Sequence, residues 1–108
     1  MGVVKRGQIW LVNLDPIIGS EIKKSRPCVI VSPHVLNEHL RTVIVAPMTS
    51  KGFVAPFRVP LIHAGTRGLI LLDQVRTVDK ARLARKLGAV SAKTLTATLA
   101  LLQEVFTE

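Results

Sequence analysis

The chain reads as a mainly β protein of the α+β class: a small twisted barrel of short strands, interrupted by short helices and closed by a C-terminal amphipathic helix. Two observations predict it. Between Gln8 and Ala89, short runs rich in Val, Ile and Leu recur, separated by Gly, Pro, Asp and Ser, with no room for the helix that βαβ units would need between strands. After Ser91 the period changes, and Leu95, Leu99, Leu102 and Phe106 fall at helical spacing on one apolar stripe.

The elements follow in order. Gln8 to Leu14 carries Ile, Trp, Leu and Val and stops at Asp15-Pro16, a strand running into a turn, with Trp10 expected in the core. Gly19 to Arg26 is polar and charged and reads as a loop. Cys28 to Val31 is a β-branched strand, after which Ser32 suits a helix N-cap and Pro33 a first helical position, for a short helix ending about Leu40. Thr42 to Pro47 reads as a buried strand, followed by Thr49-Ser50-Lys51-Gly52 as turn material. Phe57 to Leu61 and Gly68 to Leu72 form two further strands around a Gly65 to Gly68 turn. Arg76 to Val78 is extended, Lys80 to Ala84 makes a helical turn, Lys86 to Ala89 is a last strand, and Ser91 caps the final helix.

A chain of 108 residues fits one domain spanning 1–108, with a single core and no linker. The apolar fraction of 48% is high, yet no apolar run approaches the ~20 residues of a membrane span, so a second subunit is the expected cover for the excess. No signal-peptide pattern follows the basic start, and Cys28, the only cysteine, allows no intrachain disulfide. Its apolar neighbours imply a packed thiol, and the whole fits a cytoplasmic location. Fifteen Lys and Arg against seven Asp and Glu give a net charge of +8, which in a domain this small draws polyanions: nucleic acid or an acidic protein. With one Trp, three Phe and no Tyr, extensive base stacking is excluded.

His34, His39 and His63 are spread without ligand spacing, so no metal and no cofactor is expected. There is no glycine-rich phosphate loop and no nucleophile elbow. Catalysis must then use Arg, Thr or Ser, acidic side chains and backbone donors.

Four segments carry the rest of the reading: Arg6-Gly7-Gln8-Ile9-Trp10; Leu14-Asp15-Pro16 with Gly19-Ser20-Glu21 and Ser25-Arg26-Pro27; Val45-Ala46-Pro47-Met48-Thr49-Ser50; and Leu72-Asp73-Gln74-Val75-Arg76-Thr77-Val78-Asp79. In order and spacing they resemble the MazF/PemK family of type II toxins over nearly the whole chain. The resemblance implies an SH3-like barrel closed by a C-terminal helix, a homodimer, cleavage of single-stranded RNA, and a cognate antitoxin partner. It places Arg26 and Thr49 at the scissile phosphate. A planar guanidinium can meet two nonbridging oxygens with paired hydrogen bonds, and a threonine adds a short, stiff donor.

The group that takes the 2′-hydroxyl proton stays open. Arginine is a poor base, so Glu21 is the candidate, as base or as the residue orienting Arg26, and Asp73 is its rival. Asp73 read structurally would pair with Arg76. Ser50, beside Thr49, is a supporting candidate. Ser20, Lys23, Lys24, Lys51 and Arg76 are candidate RNA contacts, although Arg76 and Thr77 also suit a role holding loops or a dimer surface. The sequence departs from the PemK pattern at Ser20, where such members can carry histidine, and at Leu71, where they can carry arginine, which directs the chemistry to Arg26 and Thr49. The antitoxin expected is a small protein whose acidic, disordered tail covers the basic groove. Two rival functions share the fold: a CcdB-like gyrase poison, disfavoured because the chain ends Val105-Phe106-Thr107-Glu108 without tryptophan, and a noncatalytic SH3-like nucleic-acid binder, which would not need Glu21, Arg26 and Thr49 together.

Overall fold

The computed structural model describes residues 3–14 and 25–108. It contains seven strands, β1 (Gln8–Asn13), β2 (Ser25–Ile30), β3 (Thr42–Thr49), β4 (Arg58–His63), β5 (Thr66–Leu71), β6 (Arg76–Asp79) and β7 (Leu83–Ala89), with helices α1 (His34–His39) and α2 (Ala92–Val105). Single 3-10 turns at Leu72–Gln74 and Lys80–Arg82 join β5 to β6 and β6 to β7.

All pairings are antiparallel, and β3 organises them. One edge of β3 pairs with β2 (Cys28 opposite Pro47, Ile30 opposite Val45). The other edge is shared: its first half pairs with β6 and its last two residues, Met48 and Thr49, with β5. Strands β6, β3, β2, β1 and β7 form one curled sheet, and β4–β5 branch from the end of β3. Register shifts in the β1–β7 pairing, at Ile9/Trp10 and Leu11/Val12, add local twist and help the sheet curl.

Side-chain alternation sends each strand to two cores. Val12, Cys28, Ile30, Val43, Val45, Val78 and Leu83 fill one side of the curled sheet together with Val4 and Trp10. Ile9, Val29, Val31, Ala46 and Met48 face the opposite side, where β4, β5, the Leu72–Gln74 turn and α2 cover them through Val59, Ile70, Leu72, Leu101 and Leu102.

The Arg6–Trp10 segment is legible as architecture. Gly7 has φ +90°, and a Cβ there would sit 3.2 Å from Leu95 of α2. Its N–H donates to Ile30 O (2.7 Å) and its carbonyl accepts from Val90 (2.9 Å). The buried Gln8 side chain accepts from Lys5 N (2.9 Å) and from Trp10 Nε1 (3.0 Å), so the expected core tryptophan has its polar atom satisfied.

Several expectations shift. Ser32 does not cap α1; the N-cap is Pro33, without a side-chain bond. Ser32 is instead buried, its Oγ donating to Asn37 Oδ1 and accepting from Ile44 N (3.0 Å), while Asn37 Nδ2 donates to Ser32 O (2.9 Å), so the hydroxyl locks α1 onto β3. Strands β4 and β5 meet in a two-residue turn, Ala64-Gly65, rather than a longer Gly65–Gly68 turn: His63 and Thr66 are still paired. Ala64 (φ 50°) and Gly65 (φ 77°) both take positive φ, as a tight primed hairpin turn requires. Strand β7 begins at Leu83, three residues earlier than expected. Ser91 does cap α2, accepting from Thr94 N (3.1 Å). The buried face of that helix is turned from the expected stripe: Thr98 lies at its centre, fully buried with its hydroxyl donating to Thr94 O (2.8 Å), whereas Phe106 is exposed.

Candidate active site

Three strand ends meet where β3 leaves the curled sheet. Arg26 and Thr49 each stand two residues beyond Cys28–Pro47, the last pair of the β2–β3 ladder; Arg26 pairs with Val12 of β1 and Thr49 with Leu69 of β5. Thr49 is half-buried and Arg26 exposed. The Thr49 Oγ1 accepts the N–H of Lys51 at 3.1 Å. That bond orients the hydroxyl and leaves its proton free to donate outward.

Arg26 comes from β2 and Arg76, opposite Val45, from β6, so the two guanidinium-bearing strands flank β3. Both groups act on Cys28. Burial pushes its thiol up to about 12, and the nearby positive charges of Arg26 and Arg76 pull the other way. The thiol is completely buried and lies 3.5 Å from the Arg26 carbonyl, to which it donates. Two positive charges therefore bear on one neutral, packed side chain, Arg26 from the end of β2 and Arg76 from opposite Val45.

Asp73 does something else. Its carboxylate pairs with Arg58 (Nε–Oδ1 3.4 Å), not with Arg76 as its structural reading held. Arg58 Nη1 donates to Phe53 O at 3.3 Å, and its guanidinium lies 4.8 Å from the Phe53 ring centre and 5.7 Å from that of Phe57. Asp73 thus holds the clamp that shapes the loop carrying Ser50 and Lys51. Neither Arg58 nor its clamp was legible beforehand, because nothing in the spacing of Phe53, Phe57 and Arg58 announces that they converge.

The structure accordingly brings Arg26, Thr49, Ser50, Lys51 and Arg76 to one region and places Asp73 behind the loop. Ser20, Glu21, Lys23 and Lys24 lie outside the described residues. Among the described residues, no three His, Cys, Asp or Glu side chains group as metal ligands, and no helix is long and apolar enough to cross a membrane.

Residues 5–106 match the family of PemK-like, MazF-like toxins of type II toxin–antitoxin systems. The chain belongs to this family. Among curated relatives of this PemK/MazF-like toxin is the endoribonuclease PemK of Escherichia coli, 39% identical over 110 residues, covering 96% of this chain and 83% of the relative. The endoribonuclease MazF of Staphylococcus saprophyticus is 37% identical over 97 residues, covering 84% and 81%. Among solved structures, MazF in a MazE–MazF crystal from Deinococcus radiodurans superposes with a TM-score of 0.83 at 29% identity, over 97% of this chain and 96% of that one. Within this toxin, Leu71 is buried in the core at 3% exposure. The position that can be arginine in PemK-like members is here part of the packing and supplies no charge to the site.

Proposed function

We propose that this toxin is a metal-independent endoribonuclease that cuts single-stranded RNA by attack of the ribose 2′-hydroxyl on the adjacent phosphate. The observation that carries the reading is that Arg26 and Thr49 each stand two residues beyond the Cys28–Pro47 pair, with Arg76 opposite Val45 on the far side of β3. These donors stand on and to either side of β3, suited to a phosphoryl group gathering negative charge, and donors are worth most where charge develops. The 2′-hydroxyl is already tethered to its target, so the protein need not generate a nucleophile from water. The 2′-oxygen–phosphorus bond forms as the bond to the 5′-oxygen breaks, and that oxygen takes up a proton from Arg26 or from water, leaving a 2′,3′-cyclic phosphate and a 5′-hydroxyl. Arg26 and Thr49 hold the nonbridging oxygens. Glu21 is the preferred group to take the 2′-hydroxyl proton or to orient Arg26, since Asp73 is engaged with Arg58. Ser50, Lys51, Arg76, Ser20, Lys23 and Lys24 contact the RNA.

The same reading makes the chain one domain, a homodimer through α2 and the Asp73–Val78 region, cytoplasmic, and silenced by an antitoxin whose acidic tail covers the basic groove. The test is cleavage of a labelled single-stranded RNA in excess EDTA, repeated with one 2′-deoxy substitution 5′ of the cut. Cleavage should persist in chelator and stop with the deoxy substrate while binding remains. Cutting of the deoxy strand at that bond, or 5′-phosphate products, would make water the nucleophile and overturn the mechanism.

A further inference from the structure

The β4–β5 hairpin stands beside the candidate site and has no part in the chemistry above. Between its tip and the ends of β2 and β3 lies a cavity of about 330 Å³, lined by Pro27, Thr49, Ser50, His63, Thr66 and Arg67 among others. A second cavity of about 470 Å³ adjoins it on the side of the Ser50–Val54 loop and shares Ser50, Arg67 and Gly68 as a common wall. The wall is tight because residue 68 is glycine: a Cβ there would come within 3.0 Å of the Thr49 carbonyl. Both cavities therefore abut the segment that presents Thr49.

The hairpin is built to hold its shape. Its two-residue turn keeps Ala64 at φ 50°, a conformation alanine adopts only at a cost and one that clusters at functional positions. The turn fixes His63 opposite Thr66, and Arg67 opposite Ile62. Arg67 stands two residues before Leu69, the partner of Thr49, and lines both cavities, one of which Lys51 also lines. Among the described residues, the side chains of Ser50, His63, Thr66 and Arg67 hold no hydrogen bond or ion pair. Their donors are unspent, and they face the cavity.

We propose that this cavity takes the nucleobase next to the cleaved phosphate, and that Arg67 selects a base with two adjacent acceptors, guanine or cytosine, over adenine and uracil. The inference rests on the endoribonuclease reading. A guanidinium is a planar fork of donors with no acceptor, so it prefers a base edge offering two acceptors side by side. Guanine presents N7 and O6 in that arrangement on one edge and cytosine N3 and O2 on another, whereas adenine sets both N7 and N1 beside its N6 donor and uracil's O4 and O2 are separated by the N3–H donor. Pro27 and the His63 imidazole supply flat surfaces against which an unstacked base can lie. Charge complementarity selects RNA as the occupant, since Lys51 lines the adjoining cavity next to Arg67.

The experiment is cleavage of short RNAs carrying each of the four bases at each position flanking the cut, by the wild-type chain and by Arg67→Ala and Arg67→Lys. Arg67 is exposed, and circular dichroism checks that both variants keep the fold. The wild-type chain should favour guanine or cytosine over adenine and uracil at one flanking position. Both variants should lower kcat/KM on the favoured base by ~10- to 100-fold, the value of one bidentate base contact, and leave adenine and uracil nearly unchanged. A fall shared by all four bases and restored by Arg67→Lys would make Arg67 a phosphate contact and overturn the base-reading role. Unchanged cleavage at every base would overturn it too. If the wild-type chain cuts no RNA, the endoribonuclease reading fails and this inference goes with it.

Discussion

Asp73→Asn separates two roles for a carboxylate that the sequence left in competition. In the structure its contact is a single Nε–Oδ1 approach of 3.4 Å to Arg58, with side chains 31% and 13% exposed. A one-point, partly solvated pair of this kind contributes on the order of 1 kcal/mol. Its loss should lower Tm by roughly 4 °C in a domain of this size. Cleavage should fall only modestly, by less than ~10-fold, because Arg58 keeps its bond to Phe53 O and its stacking on Phe53 while losing the carboxylate that holds it there. Removing a general base costs more, about 10²- to 10⁴-fold. The assay is kcat/KM on a single-stranded RNA together with thermal unfolding, in Asp73→Asn, Arg58→Gln and the double variant. The two single effects should overlap, so that the double variant is hardly worse than Arg58→Gln. A loss of ~10²-fold or more in Asp73→Asn at unchanged Tm, undiminished in the Arg58→Gln background, would refute the anchoring role and return Asp73 to the chemistry.

Arg26→Ala should keep the fold and lower cleavage by at least ~10²-fold, with Thr49→Ala costing less, as single-turnover rates will read. Cys28 should resist alkylation at pH 8 in the folded chain and react on unfolding, since its thiol is buried and pushed up to about 12. The same shift gives a pH signature: the stabilisation is complete below the ordinary thiol value of 9.0 and is lost as pH rises from there toward 12, by about 1.4 kcal/mol per unit, because the unfolded chain gives up its proton first. Chemical unfolding of wild type against Cys28→Ala, which cancels the lysines, should show that slope in the difference. Ala64→Asn should raise stability by about 0.5–1 kcal/mol by relieving the positive φ, measured by denaturant midpoint at constant m-value.

What the sequence disclosed and what it withheld divide by range of interaction. Periodicity located β1, β3 and α2 because burial on one face repeats along a single segment, and the resemblance of the four segments carried family and architecture together. Ser32 misled because its hydroxyl could equally serve the helix beginning beside it or a strand twelve residues away, and Ile44 N won. Thr98 at the buried centre of α2 turned the helix from its leucine stripe, since a threonine can satisfy its own hydroxyl on Thr94 O and then pack like valine. The partner of Asp73 was out of reach for a stronger reason. Arg58 lies fifteen residues away across a hairpin, and choosing it over the nearby Arg76 requires knowing that β6 turns Arg76 toward Cys28. Arg67 sat within what read as turn material, and only the tight Ala64-Gly65 turn made it a strand residue, paired with Ile62 and lining a cavity that Lys51 also lines.

The thiol of Cys28 closes the electrostatic argument of the site. Two guanidinium groups brought near each other repel, and a carboxylate or thiolate between them would relieve that repulsion. It would also consume the charge that a phosphate needs. Cys28 provides packing at that point without charge: burial keeps it protonated against the pull of both arginines, and its hydrogen is directed to the Arg26 carbonyl. The positive field at the strand ends is therefore left uncompensated from within, and an incoming phosphate becomes its counter-ion. The repulsion is sustained by the β2–β3–β6 ladder, whose buried residues Val29, Ile30, Val43, Val45 and Val78 fix the backbone beneath both arginines. On this account Cys28→Asp, which places a carboxylate beside Arg26 and Arg76, should depress RNA binding and cleavage together, whereas Cys28→Ala, which adds no charge, should spare both.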